Sequence, residues 1–398
     1  MKNLLIVSQC MEQGGIERSL IELLKALDRE RFRVLLLLFA HTGPLMAEIP
    51  EDIRLLPENP RLRDMLLPIK TVLKRRDWSV GGARLFAKSL HRLQGKTGDA
   101  GVYGLLEEVH YRAARLLPLP AAPQGGWDAL LSYQWPHNYA ARIPAKRKLA
   151  FIHTDPAAQS LNFRRDAVTL SAFDGIACVS GGALLSFQRL YPSLADRSFV
   201  FENLLSRTGV WERAEAFVPE DMPLCPDGPT LLSVGRLCYA KGFDEAIRLS
   251  ARLQAIGFAH RWYILGGGTD AAALRSLAQS ERADCIRFLG ERPNALPYMK
   301  AADAIVQTSR YEGRCVAVME ALTLGKPVML SPFPTALSHI TPGVDGVLLP
   351  AEAAAAAECI AQRMQDKALL LRLTVNARAR DVSGYGQLER LYGMLELQ

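Results

Sequence analysis

The stretch from Ala302 to Leu330, ADAIVQTSRYEGRCVAVMEALTLGKPVML, combines two strand patterns, a helix and two glutamates at a fixed separation. Ala304 to Gln307 is a short apolar run bounded by polar residues, as a buried parallel strand should be, and Pro327 to Leu330 reads the same way after Gly325. Between them, good helix formers from Cys315 to Leu324 end at a glycine, which predicts a helix with Glu312 in the loop before it and Glu320 inside it. Glu312 therefore stands at the mouth of a strand. The amides of Gly313, Arg314 and Cys315 follow at a helix N-terminus, a place to hold hydroxyls and negative charge.

Upstream, Thr230 to Val234 predicts another buried strand, followed by GRLCYAKG and a helix from Phe243 to Leu253. Gly235 turns the chain, and Arg236 and Lys241 come within reach of one space. An Arg fork and a Lys point charge suit a diphosphate that leaves with extra negative charge, while a solvated surface pair is the other reading. Trp262 to Leu265 runs into Gly266 to Gly268, and Ile286 to Leu289 into Gly290, both strand-end turns. At the front, a strand over Leu4 to Ser8, a loop and an amphipathic helix over Ile16 to Leu27 open a Rossmann-type unit. There Gly14 and Gly15 allow close backbone approach to an anion, although a double glycine short of G-x-G-x-x-G also fits a plain tight turn. A strand over Leu149 to Ile152 ends in HTDP, so His153 falls where open α/β sheets place their ligands. Tyr133, Trp135 and His137, in LSYQWPHNY after another strand, are candidates for an acceptor site or for packing.

The E-x7-E spacing in EGRCVAVME resembles the donor-binding signature of the retaining glycosyltransferases of family 4. Three further runs, FLGERPNALPYMKAADAIVQTS, SVGRLCYAKGFDEAI and QGGIERSLIELL, resemble the family's segment leading to the first Glu, its phosphate-binding segment, and its glycine turn with the first helix. The resemblance implies an α/β GT-B fold, two Rossmann-like domains facing across a cleft. On this chain that means an acceptor-binding domain over 1–205, a linker over 206–228 rich in Pro and acidic side chains, a donor-binding domain over 229–380, and a final helix over 381–398 crossing back to the first domain.

The activity implied is a retaining, metal-independent transfer of sugar from a UDP- or GDP-sugar to a saccharide or lipid-linked saccharide. Its catalytic set is Glu312, His153, Arg236 and Lys241, and its donor-binding set is Gly14, Gly15, Gly235, Arg292, Gly313, Arg314, Cys315, Val316 and Glu320. Glu320 would meet the ribose hydroxyls and Glu312 would orient the donor sugar. Arg236, Lys241 and the Gly14 and Gly15 amides would stabilise the diphosphate, and Arg292 would lie by the base. No cofactor is expected, and no metal, since the chain has no D-x-D. One departure is Arg314, where relatives carry small residues; it would pair with a phosphate or an acidic sugar, or point to solvent. A sugar phosphorylase would need a pyridoxal-phosphate lysine site, and a nicotinamide oxidoreductase the full glycine fingerprint with an acidic residue ~20 positions on. A catalytically silent sugar-nucleotide-binding partner protein is the alternative.

At 398 residues, 49% hydrophobic and 22% charged, the chain is an ordinary globular one long enough for two domains. No apolar run approaches the ~20 residues of a membrane span, MKNLLIVSQC lacks a cleavable-signal layout, and seven cysteines without C-x-x-C read as small core residues. A cytoplasmic protein is expected, with no nucleic-acid partner. Charge is uneven, however: between Arg61 and Lys96 ten Lys and Arg face two Asp, and this net +8 leaves the rest of the chain near −1. Leu66, Leu67, Ile69, Val72, Leu73, Trp78, Leu85, Phe86, Leu90 and Leu93 interleave with those charges. Two readings fit residues 61–96, a basic amphipathic surface on the anionic inner face of the cell membrane or a segment packed on the N-terminal sheet.

Overall fold

The computed structural model describes residues 1–75, 78–93, 108–109, 111–158 and 162–396, apart from the side chains of 90–93. The chain divides into two compact units, Met1–Asn203 with Tyr385–Gln398, and Leu204–Gly384. Each is built on one parallel sheet.

In the first unit, strands β1 (Lys2–Ser8), β2 (Phe32–Leu38), β3 (Arg54–Leu55), β4 (Ala129–Ser132), β5 (Arg147–Ile152), β6 (Gly175–Cys178) and β7 (Ser198–Val200) lie in the order β3-β2-β1-β4-β5-β6-β7. Runs such as Leu4 to Val7 are wholly buried, because helices cover both faces of a parallel sheet and leave no polar side to alternate with. Helix Gly15–Ala26 buries Leu20, Ile21, Leu23 and Leu24. The terminal helix Leu388–Glu396 belongs to this unit: Leu391, Tyr392 and Leu395 are buried, and the Tyr392 hydroxyl accepts from the Asp28 amide at 3.0 Å and donates to the Ala26 carbonyl at 3.1 Å.

In the second unit, β8 (Thr230–Val234), β9 (Arg261–Leu265), β10 (Ile286–Gly290), β11 (Ala304–Gln307), β12 (Val328–Leu330) and β13 (Val347–Leu348) take the order β10-β9-β8-β11-β12-β13. Residues 206–228, where a linker is expected, fall within this unit. Helix Arg207–Ala214 buries Val210 and Ala214, Met222 is buried beyond it, and the Tyr263 hydroxyl donates to the Pro223 carbonyl at 2.7 Å. Proline and acidic side chains in the stretch obscure the few apolar residues that it buries, Val210, Ala214, Pro219 and Met222.

Between Arg61 and Lys96 the two readings divide by residue. Leu62, Met65, Val72, Val80 and Ala87 are core, with Leu66 and Leu67 packed against it. Several of the cations serve as internal pins: Arg63 pairs with Glu58 at 2.9 Å, Arg75 with Asp64 at 3.0 Å, and Arg84 donates to the carbonyls of Asp64, at 2.9 Å, and Leu67. On helix Trp78–Leu93 the opposite face is left outside, with Trp78 69%, Leu85 46% and Phe86 53% exposed and Lys88 alongside. Arg76, Lys96 and the side chains of Leu90 and Leu93 lie outside the described residues.

Candidate functional site

Both sheets reverse strand order at one place, between β1 and β4 and between β8 and β11. At such a point the loops leaving neighbouring strands run to opposite faces and open a crevice at the strand C-termini. In the second unit, β8 delivers Gly235 to Lys241 there and β11 delivers Thr308 to Cys315. Gly242 joins the two loops: its left-handed backbone (φ 60°, ψ 32°) favours glycine, and a Cβ would sit 2.1 Å from the Thr308 carbonyl oxygen. The Thr308 hydroxyl donates to the Gly242 carbonyl at 2.9 Å. Arg310 adds a clamp, its guanidinium 4.2 Å above the Tyr239 ring, hydrogen-bonded to the Tyr239 carbonyl at 2.8 Å and paired with Asp244 at 2.7 Å. Gly235 leaves room for the Lys241 stem, whose Cε would lie 3.1 Å from a Cβ at that position.

These contacts bring Lys241 Nζ to 2.6 Å from Glu312 Oε1, which also accepts from the Ser309 hydroxyl at 2.7 Å. The side chains are 19% and 12% exposed. Burial opposes both charges, but the Glu312 carboxylate and its hydrogen bond hold the Lys241 ammonium above its ordinary range. For Glu312 burial works upward, and Lys241 with the Ser309 hydrogen bond outweighs it, so the carboxylate lies below its ordinary range. Burial pushes the Cys315 thiol, 3.9 Å from Lys241 Nζ, up to about 12, and it stays neutral.

Behind the pair, the segment after β12 grips the Glu312–Cys315 loop. Thr335 donates its hydroxyl to the Glu312 carbonyl at 2.8 Å, and His339 Nε2 accepts the Cys315 N–H at 2.8 Å. The other ring nitrogen, Nδ1, lies 2.9 Å from the Thr335 carbonyl and so carries the proton. Burial depresses His339 to about 4, leaving it neutral. Glu320, on helix Val316–Thr323, has Arg213 Nη2 3.6 Å from Oε1.

In the first unit, Gly14 caps helix Gly15–Ala26 in extended conformation after β1 without a side-chain cap, so the helix N-terminus follows the strand end directly. His153, just beyond β5, lies with its ring centroid 4.6 Å from Tyr133 and stacked 5.9 Å from Phe151. Among the described residues neither buried ring nitrogen has a hydrogen-bond partner of normal geometry; burial lowers its pKa to about 4, opposed by the nearby Tyr133 backbone and Asn203 side chain.

With this geometry in place, comparison with known proteins gives the architecture its name. Anabaena HepE in complex with UDP and glucose superposes with a TM-score of 0.69 at 18% identity, covering 99% of this chain and 100% of HepE. WaaG, a glycosyltransferase involved in lipopolysaccharide biosynthesis, gives 0.63 at 15% identity, covering 99% and 100%. The fold is GT-B. Residues 219–380 match the family model Glycosyl transferases group 1. By sequence the chain is 30% identical over 172 residues to the amylovoran biosynthesis glycosyltransferase AmsK of Erwinia amylovora, covering 39% of this chain and 41% of AmsK. It is 28% identical over 149 residues to the lipopolysaccharide core biosynthesis glycosyltransferase LpsE of Rhizobium meliloti (strain 1021), covering 37% and 43%. The chain thus spans less than half of the length of these curated relatives.

In this GT-B chain Gly235, Lys241, Glu312, Gly313, Cys315 and Val316 converge at the β8/β11 switch point, and exposed Arg236 at the same loop makes no hydrogen bond or ion pair among the described residues. Two expectations change. The Cys315 amide is taken by His339, so the free donors at this helix start come after it. Arg314 does not point to solvent; it is 7% exposed and donates Nε to the Met319 sulfur at 3.2 Å, turned back along the helix. Arg292 pairs with Asp221 at 2.7 Å and contacts the Tyr298 hydroxyl at 3.2 Å. Tyr133 and His137 are packing residues, bonded to the hydroxyls of Ser19 at 2.7 Å and Ser132 at 2.8 Å. Arg213, Thr335 and His339 escaped the sequence reading; only the Thr-x3-His spacing in PTALSHI hinted at the last two.

Proposed function

We propose that the protein is a retaining glycosyltransferase, moving a sugar from a UDP- or GDP-sugar to a saccharide or lipid-linked saccharide acceptor in cell-surface polysaccharide or glycolipid assembly. The observation that carries this is the buried Lys241–Glu312 pair at the β8/β11 switch point beside unpartnered Arg236. Of the three ammonium donors of Lys241 one is engaged by Glu312 and a second by the Cys315 sulfur, leaving one for a phosphate oxygen, and Glu312 Oε2 is left for a sugar hydroxyl. Arg236 adds a fork for the same diphosphate. Glu320 takes the ribose hydroxyls. In the first unit, His153, neutral and with both ring nitrogens unpaired, serves the donor sugar, and the Gly14 and Gly15 amides serve the phosphates. As the bond from anomeric carbon to phosphate oxygen breaks, the electron pair stays on the diphosphate, where the cations stabilise it; the acceptor oxygen bonds to the same face of the sugar and its proton passes to a phosphate oxygen.

The names of AmsK and LpsE, both biosynthetic glycosyltransferases, support the substrate class. For the partner surface we assign the outward face of helix Trp78–Leu93, where three exposed apolar side chains beside lysines suit an anionic lipid surface presenting the acceptor.

A panel of UDP- and GDP-sugars tests the reading. One donor at 100 times its Kd should stabilise the protein by ~2.7 kcal/mol, and transfer should survive EDTA with the anomeric configuration kept. Stabilisation without transfer to any acceptor would instead identify a sugar-nucleotide-binding partner protein; no response to any donor would sink both.

A further inference from the structure

Loop Glu312–Cys315 carries the carboxylate placed on the donor sugar; Lys241 and Ser309 hold the carboxylate itself, and Arg314 is buried against Met319. The helix that follows starts at Cys315, an N-cap residue that makes no side-chain cap. The segment after β12 grips the loop's backbone. Ser331 donates to the Ser309 carbonyl at 2.7 Å and Thr335 to the Glu312 carbonyl at 2.8 Å, both binding carbonyls on the strand side of the loop. The helix side is held by His339 alone among these side chains, through Cys315 N–H to Nε2 at 2.8 Å. His339 is 3% exposed and packs edge-on to Phe333, with ring centroids 5.4 Å apart. Its Nδ1–H is committed to the Thr335 carbonyl, so the tautomer that leaves Nε2 an acceptor is the one the fold enforces.

We propose that His339 is a positioning residue, which by accepting the Cys315 amide sets the aim of the Glu312 carboxylate and the direction of the helix start that follows. This rests on the glycosyltransferase reading of the same site. Misplacing a reacting group by about 1 Å costs on the order of 10² in rate, while the ribose and diphosphate contacts assigned to Glu320 and Arg236 lie outside the loop. Loss of the His339 hydrogen bond should therefore lower turnover without releasing the nucleotide.

Two variants separate positioning from bulk stability. His339→Gln puts an amide oxygen near the Nε2 position and keeps the bond to Cys315; His339→Asn keeps a polar atom near Nδ1 and loses it. Release of sugar from the UDP- and GDP-sugar panel and calorimetric titration with UDP and GDP are measured on both and on the unaltered protein, with melting temperature alongside. The expected result is turnover within ~3-fold for Gln and down ~10-fold or more for Asn, with nucleotide affinity within ~2-fold throughout. Equal turnover in the two variants, or turnover and affinity falling together, overturns the inference while leaving the site reading in place. No binding and no turnover in the unaltered protein would overturn the site reading, and this inference with it.

Discussion

At the scale of single residues, the buried pair Lys241–Glu312 and the exposed Arg236 predict different kinds of loss. Lys241→Ala leaves an unpaired carboxylate at 12% exposure; breaking such a pair costs ~3–5 kcal/mol, so lost activity would come with lost stability. Replacing both, as Lys241→Met with Glu312→Leu, should recover most of the stability and none of the ~10² or more in turnover. Arg236→Ala should lower turnover by ~10² at nearly unchanged melting temperature, since it makes no hydrogen bond or ion pair among the described residues; near-normal rates would remove it from the site. The two glutamates should also separate. Glu320→Gln weakens binding of the free nucleoside diphosphate, whereas Glu312→Gln leaves that affinity and reduces transfer. Equal weakening in a calorimetric titration would contradict the assignment. Glu312, Arg236 and Lys241 were readable because charge at strand ends leaves a mark in sequence, and Glu320, inside the helix, because of its E-x7-E spacing from Glu312. The pairing of Lys241 with Glu312 and the grip of His339 on Cys315 were not, since each joins residues from separate strand-end loops.

At the scale of elements, buried parallel strands were the most legible, because covering both sheet faces forces unbroken apolar runs such as Leu4 to Val7. Helix Arg207–Ala214 was hidden for the opposite reason: only Val210 and Ala214 are buried on it, among charged neighbours. It brings Arg213 to Glu320, a contact that no spacing announces. Helix Trp78–Leu93 shows a stripe that periodicity detects but cannot orient, since apolar side chains lie on both faces. With Val80 and Ala87 inward and Trp78, Leu85 and Phe86 outward, the proposed lipid contact becomes specific. Co-sedimentation should require anionic vesicles, fall as salt screens the surface, and weaken on changing Trp78 and Phe86 to Ser or Lys70, Lys74 and Lys88 to Glu. Each exposed lysine should contribute ~1 kcal/mol. Arg75→Glu is a poor probe, because it also breaks the pair with Asp64. Equal partitioning onto neutral and anionic vesicles, or none onto either, would remove the membrane from the proposal.

At the scale of the whole molecule, each unit buries a neutral histidine beside its switch point, His153 in the first and His339 in the second, both held at about 4. In the unfolded chain a histidine titrates near 6.5. Between roughly pH 4 and 6.5 the unfolded state therefore binds protons that the folded state refuses, and stability must fall as pH is lowered through that window. Glu312 acts in the same sense, its contribution being lost as pH drops below the ordinary carboxylate range. Lys241, raised in the fold, gives a contribution fully present at neutral pH and lost only in strong alkali, so it adds no slope. The expected profile is flat above pH 7, with a decline in each unit of up to ~1.4 kcal/mol per pH unit for every histidine involved. His339→Gln should flatten the decline of the second unit by up to that amount and leave the first unit's unchanged. Denaturant unfolding at pH 5.0 and 7.5 checks this; an unaltered slope in the variant would mean that His339 titrates in the folded protein as it does in the unfolded chain, and that its acceptor role toward Cys315 is not enforced.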